Sequence, residues 1–212
     1  MKENSRTREE RKFWSKFAPR YDTFMARQVK SYGVLLDRVL GEMRGDWTVL
    51  EVAAGTGQIT LDMAARVRKV CAVDITPEMI AVAQKKSKER NITNVEFTVE
   101  DAYALSFAAG RFDAVVCTNA LHNMKEPQRA LGEMRRVLKR SGTLITGTFC
   151  HGQGLKARML SGLMALTGFP ANHRFTTETL TALIKDSGFV IEKNEMIPDR
   201  IPMAFIVGRP KS

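Results

Sequence analysis

Between residues 46 and 150 short apolar runs alternate with stretches of helical period, a rhythm that admits few architectures. Residues 49–53 (VLEVA), 70–75, 95–99, 112–118 (FDAVVCT) and 143–149 have the length and apolar content of buried strands. Between them Ile59, Met63 and Val67 recur on one helical face, and a helix beginning near Pro127 turns Leu131, Met134 and Leu138 inward. The clearest boundary is Thr76-Pro77-Glu78: an N-cap, a proline at the first helical position and an acid in the first turn, predicting a helix to about Arg90. Strand and helix in succession predict an α/β fold with a doubly wound, mostly parallel, Rossmann-like sheet. A helix over 177–185 then precedes apolar strands at 190–197 and 204–207, linked by the turn PDRIP. So short a link cannot form a parallel crossover, so the last of the seven expected strands runs antiparallel.

A chain of 212 residues, 44% hydrophobic and without a low-complexity linker, is expected to build one domain. Its parts are a helical lid (1–45), a cofactor-binding core (46–150), a substrate flap (151–175) and a C-terminal helix with a strand hairpin (176–212). Apolar runs fall short of the roughly 20 residues that span a bilayer, and the charged N-terminus lacks the apolar core of a signal peptide, so a cytoplasmic protein is expected. Cys71, Cys117 and Cys150 lack metal-ligand spacing and read as reduced, buried thiols. The net charge of +10 favours anionic neighbours without choosing among nucleic acid, lipid headgroups and an acidic substrate.

The turn AAGTGQ after the first strand asks what ligand it serves. In open sheets of this type ligands bind beyond the carboxyl ends of the strands, where the strand order reverses. Glycine permits a tight turn there, and a helix starting near Gly57 offers free N–H groups. A dinucleotide fingerprint needs a third glycine, and that position is Thr60. The acids discriminate better. Glu51 within the first strand, Asp74 ending the second and Asp101 after the third bring carboxylates to one rim, where a pyrophosphate would be repelled. A ligand with an ammonium, a sulfonium, ribose hydroxyls and an adenine amine would be favoured, and S-adenosylmethionine is such a ligand.

VLEVAAGTG, VDITPEMI, VEDAYALSF, FDAVVCTNALHNM and LGEMRRVLKRSGTLI stand in the order and spacing of a known family. Residues 48–149 resemble the class I S-adenosylmethionine-dependent methyltransferases, in the branch of ubiquinone/menaquinone-biosynthesis and phospholipid or small-molecule enzymes. KFAPRYDTF is similar to that branch's opening segment. The resemblance implies S-adenosylmethionine as cofactor and S-adenosylhomocysteine as product. It implies backbone at Ala53, Ala54, Gly55 and Gly57 beneath the methionine part, with Glu51 helping to hold the ammonium, directly or through water, and Tyr21 close by. Asp74 would take the ribose hydroxyls and Asp101 the adenine amine, Ile75, Met79 and Ala102 would flank the adenosine, and Asn119 would meet the methionine end. Three positions depart from the family pattern: Ala53 replaces its first glycine, Ser106 its proline and Arg140-Ser141 the start of its PGG. Local alternatives exist for each acid: Glu51 bracing the next helix, Asp74 supporting a helix N-terminus, and Glu100 exchanging roles with Asp101.

Methyl transfer is an in-line displacement in which positioning and exclusion of water dominate, so few side chains need act as acids or bases. His122, in the loop after the fourth strand, is the candidate base; bracing that loop is its alternative role. Cys150, His151 and Met159 are expected with it in the acceptor pocket. Cys150 and His151 do not read as a nucleophile pair, because adjacent residues of an extended chain point to opposite faces. The basic, aromatic N-terminal helix (Phe13, Trp14, Phe17 among Arg8, Arg11, Lys12, Lys16 and Arg20) can lie on an anionic membrane or fold over the cofactor, and the lid is the reading taken. Residues 155–169, with Met159 and Met164, supply a second flap.

The expected activity is methylation of a small, partly apolar or lipidic acceptor. Nucleic acid is disfavoured because Thr118-Asn119-Ala120-Leu121 stands where base amino-methylating enzymes carry Pro-Pro-aromatic. A nicotinamide oxidoreductase, an RNA or protein methyltransferase and a cofactor-binding protein without catalysis are the alternatives. The methylated atom and the oligomeric state are not legible.

Overall fold

The computed structural model describes residues 5–25, 29–165 and 172–211. Its strands are β1 (Thr48–Val52), β2 (Lys69–Asp74), β3 (Val95–Val99), β4 (Phe112–Thr118), β5 (Leu138–Phe149), β6 (Phe189–Ile197) and β7 (Met203–Pro210). Its helices are α1 (Ser5–Met25), α2 (Val29–Glu42), α3 (Gln58–Ala64), α4 (Pro77–Glu89), α5 (Pro127–Val137), α6 (Gly154–Ala165) and α7 (Thr177–Asp186). The strands form one sheet in the order β3-β2-β1-β4-β5-β7-β6. β1 pairs in parallel with β2 and β4, whereas β7 runs antiparallel to both β5 and β6, as the short PDRIP link requires.

Alternation along each strand sends side chains to two cores. Leu50, Val52, Val73, Val115 and Cys117 meet Leu131 and Met134 of α5 and Leu180 and Ile184 of α7. Val49, Val70, Val116 and Phe205 meet Leu35 and Val39 of α2 and Ile59 and Met63 of α3. The three cysteines are buried free thiols, as expected.

Local sequence accounts for several element ends. α4 begins at Pro77 after Thr76, with Glu78 in its first turn. The Thr76 hydroxyl makes no capping bond; the Thr76 N–H instead donates to Asp74 Oδ1 at 2.9 Å. α7 carries a reciprocal capping box between Thr176 and Thr179. β5 starts at Leu138, five residues earlier than residue 143, so Arg140, Ser141 and Gly142 lie within a strand. A register irregularity between Phe112 and Ala114 accommodates them, and a Cβ at Gly142 would stand 2.8 Å from Leu138 Cγ. Among the described residues of the segment 1–45, α1 alone lines the cavity described below, whereas Leu35 and Val39 commit α2 to the sheet.

Candidate functional site

The chain runs outward from β1 through β2 to β3 and returns to β4 beside β1, which makes the gap between β1 and β4 the switch point. A cavity opens there at the carboxyl ends of β1, β2 and β4, lined by Val52, Ala53, Gly55, Val73, Asp74, Ile75, Thr118 and Asn119. The loop after β3 adds Glu100, Asp101, Ala102 and Tyr103, α4 adds Met79, and α1 adds Glu10, Trp14 and Tyr21. The described lining contains the carboxylates of Glu10, Asp74, Glu100 and Asp101 and no Lys, Arg or His.

The turn is tied to the acid that follows it in space. Gly55 N–H donates to Asp74 Oδ2 at 2.9 Å, so the β2 carboxylate fixes the β1 turn while its neighbour oxygen holds the start of α4. Burial pushes the Asp74 carboxyl above its ordinary range, and the two backbone donors oppose that. Gly55 and Gly57 are left-handed, at φ 55° and 75°. Gly57 also packs closely: a Cβ there would stand 3.0 Å from that of Ala83. Ala53 holds φ 58° with a side chain, in the region that the usual glycine adopts without steric penalty. Asn119 likewise sits at φ 53°.

Glu51 lies behind the cavity. Its side chain is 2% exposed on the α2/α3 face of β1, and its Oε2 accepts from the Thr60 hydroxyl in the first turn of α3. Burial, partly opposed by that bond and reinforced by Asp74, pushes its carboxyl up to about 8. Ala54 and Gly57 also stand outside the described lining and shape the turn from behind.

α1 straps the cavity at both ends. Glu10 Oε1 accepts from the Tyr103 hydroxyl at 3.3 Å and from Lys125 N–H at 3.2 Å. At the other end Asp22 Oδ1 accepts from Thr56 Oγ1 at 2.6 Å and Gln58 Nε2 at 2.9 Å, and Asp22 Oδ2 pairs with Lys86 Nζ at 2.5 Å. Lys86 also donates to the Thr56 carbonyl at 3.0 Å, so α1, the glycine turn and α4 share one polar latch. Although burial opposes it, hydrogen bonding from Lys86 and Thr56 holds Asp22 below the usual carboxylate range. Between these ends Trp14 and Tyr21 pack edge to face over the cavity. Burial and the neighbouring acids Asp74 and Asp22 raise the Tyr21 phenol.

The expected acceptor residues are placed otherwise. His122 is 1% exposed and outside the described cavity lining, its Nδ1 3.5 Å from Thr148 Oγ1 and its ring 5.1 Å from that of His151. Burial and the nearby His151 and His173 hold His122 neutral, well below its ordinary titration range; burial and Arg174 bring His151 to about 4. The rim position expected for His122 is corrected: in the turn after the left-handed Asn119 its buried ring packs beside Thr148 and Phe149. Cys150 packs in the α5/α7 core, opposite His151. Met159 is 68% exposed on α6 and lines no described pocket, which corrects its placement. The Met164 side chain and residues 166–171 of the flap lie outside the described residues.

Sequence reasoning missed Asn123 and the latch. Asn123 lines the cavity four residues after Asn119 and donates through Nδ2 to the Asn119 carbonyl at 3.1 Å. The side-chain oxygens of Asn119 and Asn123 are buried without a hydrogen-bond donor. Their helical spacing was the available signal; nothing local to Asp22 marks it as a partner of Lys86.

Comparison with known proteins agrees with this geometry. Residues 50–146 match the family model described as "Methyltransferase domain". The chain is 35% identical over 138 residues to the demethylmenaquinone methyltransferase of Renibacterium salmoninarum, covering 63% of this chain and 56% of that protein. It is 34% identical over 145 residues to the demethylmenaquinone methyltransferase of Thermus thermophilus, covering 64% of each. The chain therefore spans between a half and two thirds of these relatives' lengths. Solved structures that share the fold include two of different stated activity. They are the [4+2]-cyclase SpnF (TM-score 0.72, 22% identity, 84% of this chain and 80% of that one) and magnesium protoporphyrin IX methyltransferase of Synechocystis PCC 6803 with bound S-adenosylhomocysteine (0.69, 20%, 86% and 84%).

Proposed function

We propose that this chain is a class I S-adenosylmethionine-dependent methyltransferase that transfers a methyl group to a small, partly apolar acceptor, a reading supported by the match of residues 50–146 to the methyltransferase-domain model. The observation that carries this reading is the cavity at the switch point, walled by carboxylates and by Asn119 and Asn123, whose buried side-chain oxygens accept no hydrogen bond, with no cation among the described lining residues. That environment suits a ligand that is cationic and rich in hydrogen-bond donors, and disfavours a pyrophosphate.

The residues present fit the cofactor on that ground. Asp74, already fixed by Gly55 and Thr76, keeps acceptor capacity for ribose hydroxyls. Asp101, or Glu100 beside it, suits the adenine amine, with Ile75, Met79 and Ala102 as apolar walls. Ala53, Gly55, Asn119 and Tyr21, which line the cavity, would surround the methionine end, and Glu51, buried behind the turn, would act on its ammonium only from outside the lining. When bound, S-adenosylmethionine supplies an electrophilic methyl on a sulfonium. The chain's own work is to orient the acceptor and exclude water, for which Trp14 and Tyr21 of α1 form the cover. The buried, neutral His122 brings no exposed base to the cavity, which favours acceptors that are nucleophilic without one.

The names of these relatives make demethylmenaquinone, reduced to its quinol, the first acceptor to test. Titration calorimetry with S-adenosylmethionine and NADH, followed by a radiolabelled methyl screen over quinols, phenols, amines, thiols and phospholipids, tests the reading. Binding of NADH alone refutes it. Donor binding with a silent screen favours a non-methylating use of this fold, of which the cyclase is an example.

A further inference from the structure

α6 is built inside out. Its small residues Ala157 and Ser161 are buried, while Leu155, Met159 and Leu163 are 73%, 68% and 62% exposed. These are the three most exposed large apolar side chains among the described residues. A spacing of four residues puts all three on one face, in a stripe about 12 Å long. Exposed Lys156 and Arg158 flank that stripe on either side. Apolar patches rimmed by polar groups mark interaction surfaces.

A second exposed stripe lies on α1. Trp14 and Tyr21 are taken up by the cavity, which leaves Lys12, Lys16 and Arg20 on the solvent side at the same four-residue spacing. α1 crosses the carboxyl-terminal rim of the sheet, and α6 begins five residues after β5 ends at that rim. An apolar stripe between cations, a cationic helix at the same rim and a net charge of +10 complement one kind of surface, which is apolar within and anionic at its boundary.

We propose that α6 docks this protein on anionic lipid bilayers, with Leu155, Met159 and Leu163 entering the headgroup boundary and Lys156, Arg158 and the α1 cations meeting acidic headgroups. Docking moves from the aromatics of α1, which serve the cavity, to α6. It stands apart from methyl transfer, since binding is read without any catalytic assay.

The test is flotation of the full chain with phosphatidylcholine vesicles, with and without phosphatidylglycerol, at low and high salt. The expected result is strong flotation with phosphatidylglycerol, weakened by salt, and little without it. The Leu155→Ser/Met159→Ser/Leu163→Ser variant should bind about tenfold or more weakly with an unchanged melting curve. Lys156→Gln/Arg158→Gln should weaken the preference for anionic vesicles, the α1 cations retaining the remainder. Should the triple variant unfold, Met159→Glu alone must show the same loss. Absence of flotation by the native chain, or equal flotation by the serine variant, overturns the proposal. So does sedimentation velocity showing that the stripe joins two copies that ignore vesicles.

Discussion

Glu51→Gln isolates the least ordinary charge in the fold. A carboxyl whose half-titration moves from the usual 4.5 to about 8 on burial is protonated in the folded chain and ionised in the unfolded chain across that window. The folded state then binds more protons, so stability falls as pH rises from about 4.5 to about 8 and levels off above. At about 1.4 kcal/mol per pH step the full loss is at most about 5 kcal/mol, and about 2 kcal/mol is expected once the site relaxes. His122 and His151 act in the opposite sense: their depressed folded titration makes stability rise with pH up to about 6.5. Both variants keep those histidines, so the difference between native and Glu51→Gln curves reads Glu51 alone. Thermal melts without donor should coincide near pH 5 and separate by roughly 4–8 °C near pH 8.5, with the glutamine variant the more stable. Saturating S-adenosylmethionine should narrow the gap, since its ammonium favours the carboxylate. Parallel curves from pH 5 to 9 would refute the reading of Glu51 as a buried, protonated acid.

Further outcomes follow from the same site. Asp74→Asn should weaken donor binding at least about tenfold by calorimetry, since hydrogen bonds to a charged group contribute roughly 1.5–3 kcal/mol; unchanged affinity would remove Asp74 from the ribose. Ala53→Gly relieves a left-handed side chain that costs about 1–2 kcal/mol, offset by about 0.5–1 kcal/mol of chain entropy, so denaturation should show a gain of up to about 1.5 kcal/mol. A loss would mean the Ala53 methyl packs more than it strains. Asp22→Asn removes the ion pair to Lys86, and in a Trp47→Phe background the Trp14 fluorescence should report donor release about fivefold faster. Equal rates would show that the latch does not hold α1 down.

What was legible in the sequence was what local chemistry determines. Thr76-Pro77-Glu78 marked α4, the PDRIP link required an antiparallel β7, and Asp74 and Asp101 reached the cavity because they end or follow strands that the switch point gathers. The failures share a physical origin. His122 was expected at the rim because it follows β4, but in the turn after the left-handed Asn119 its ring is buried, and side-chain identity does not announce such a φ. Met159 is expected in the acceptor pocket because a Met-bearing apolar flap can line one, whereas α6 buries Ala157 and Ser161 and leaves Met159 exposed. Asp22 meets Thr56, Gln58 and Lys86 only after the chain has folded back, so no spacing reveals it.

The strap has a consequence in time. Asp22 finds Thr56 34 residues later in the chain, and Glu10 finds Lys125 115 residues later. During synthesis α1 therefore waits, its aromatic side exposed, until most of the sheet has left the ribosome. The roof goes on after the room is built, and a chaperone or a growing aggregate has that interval in which to take hold of it.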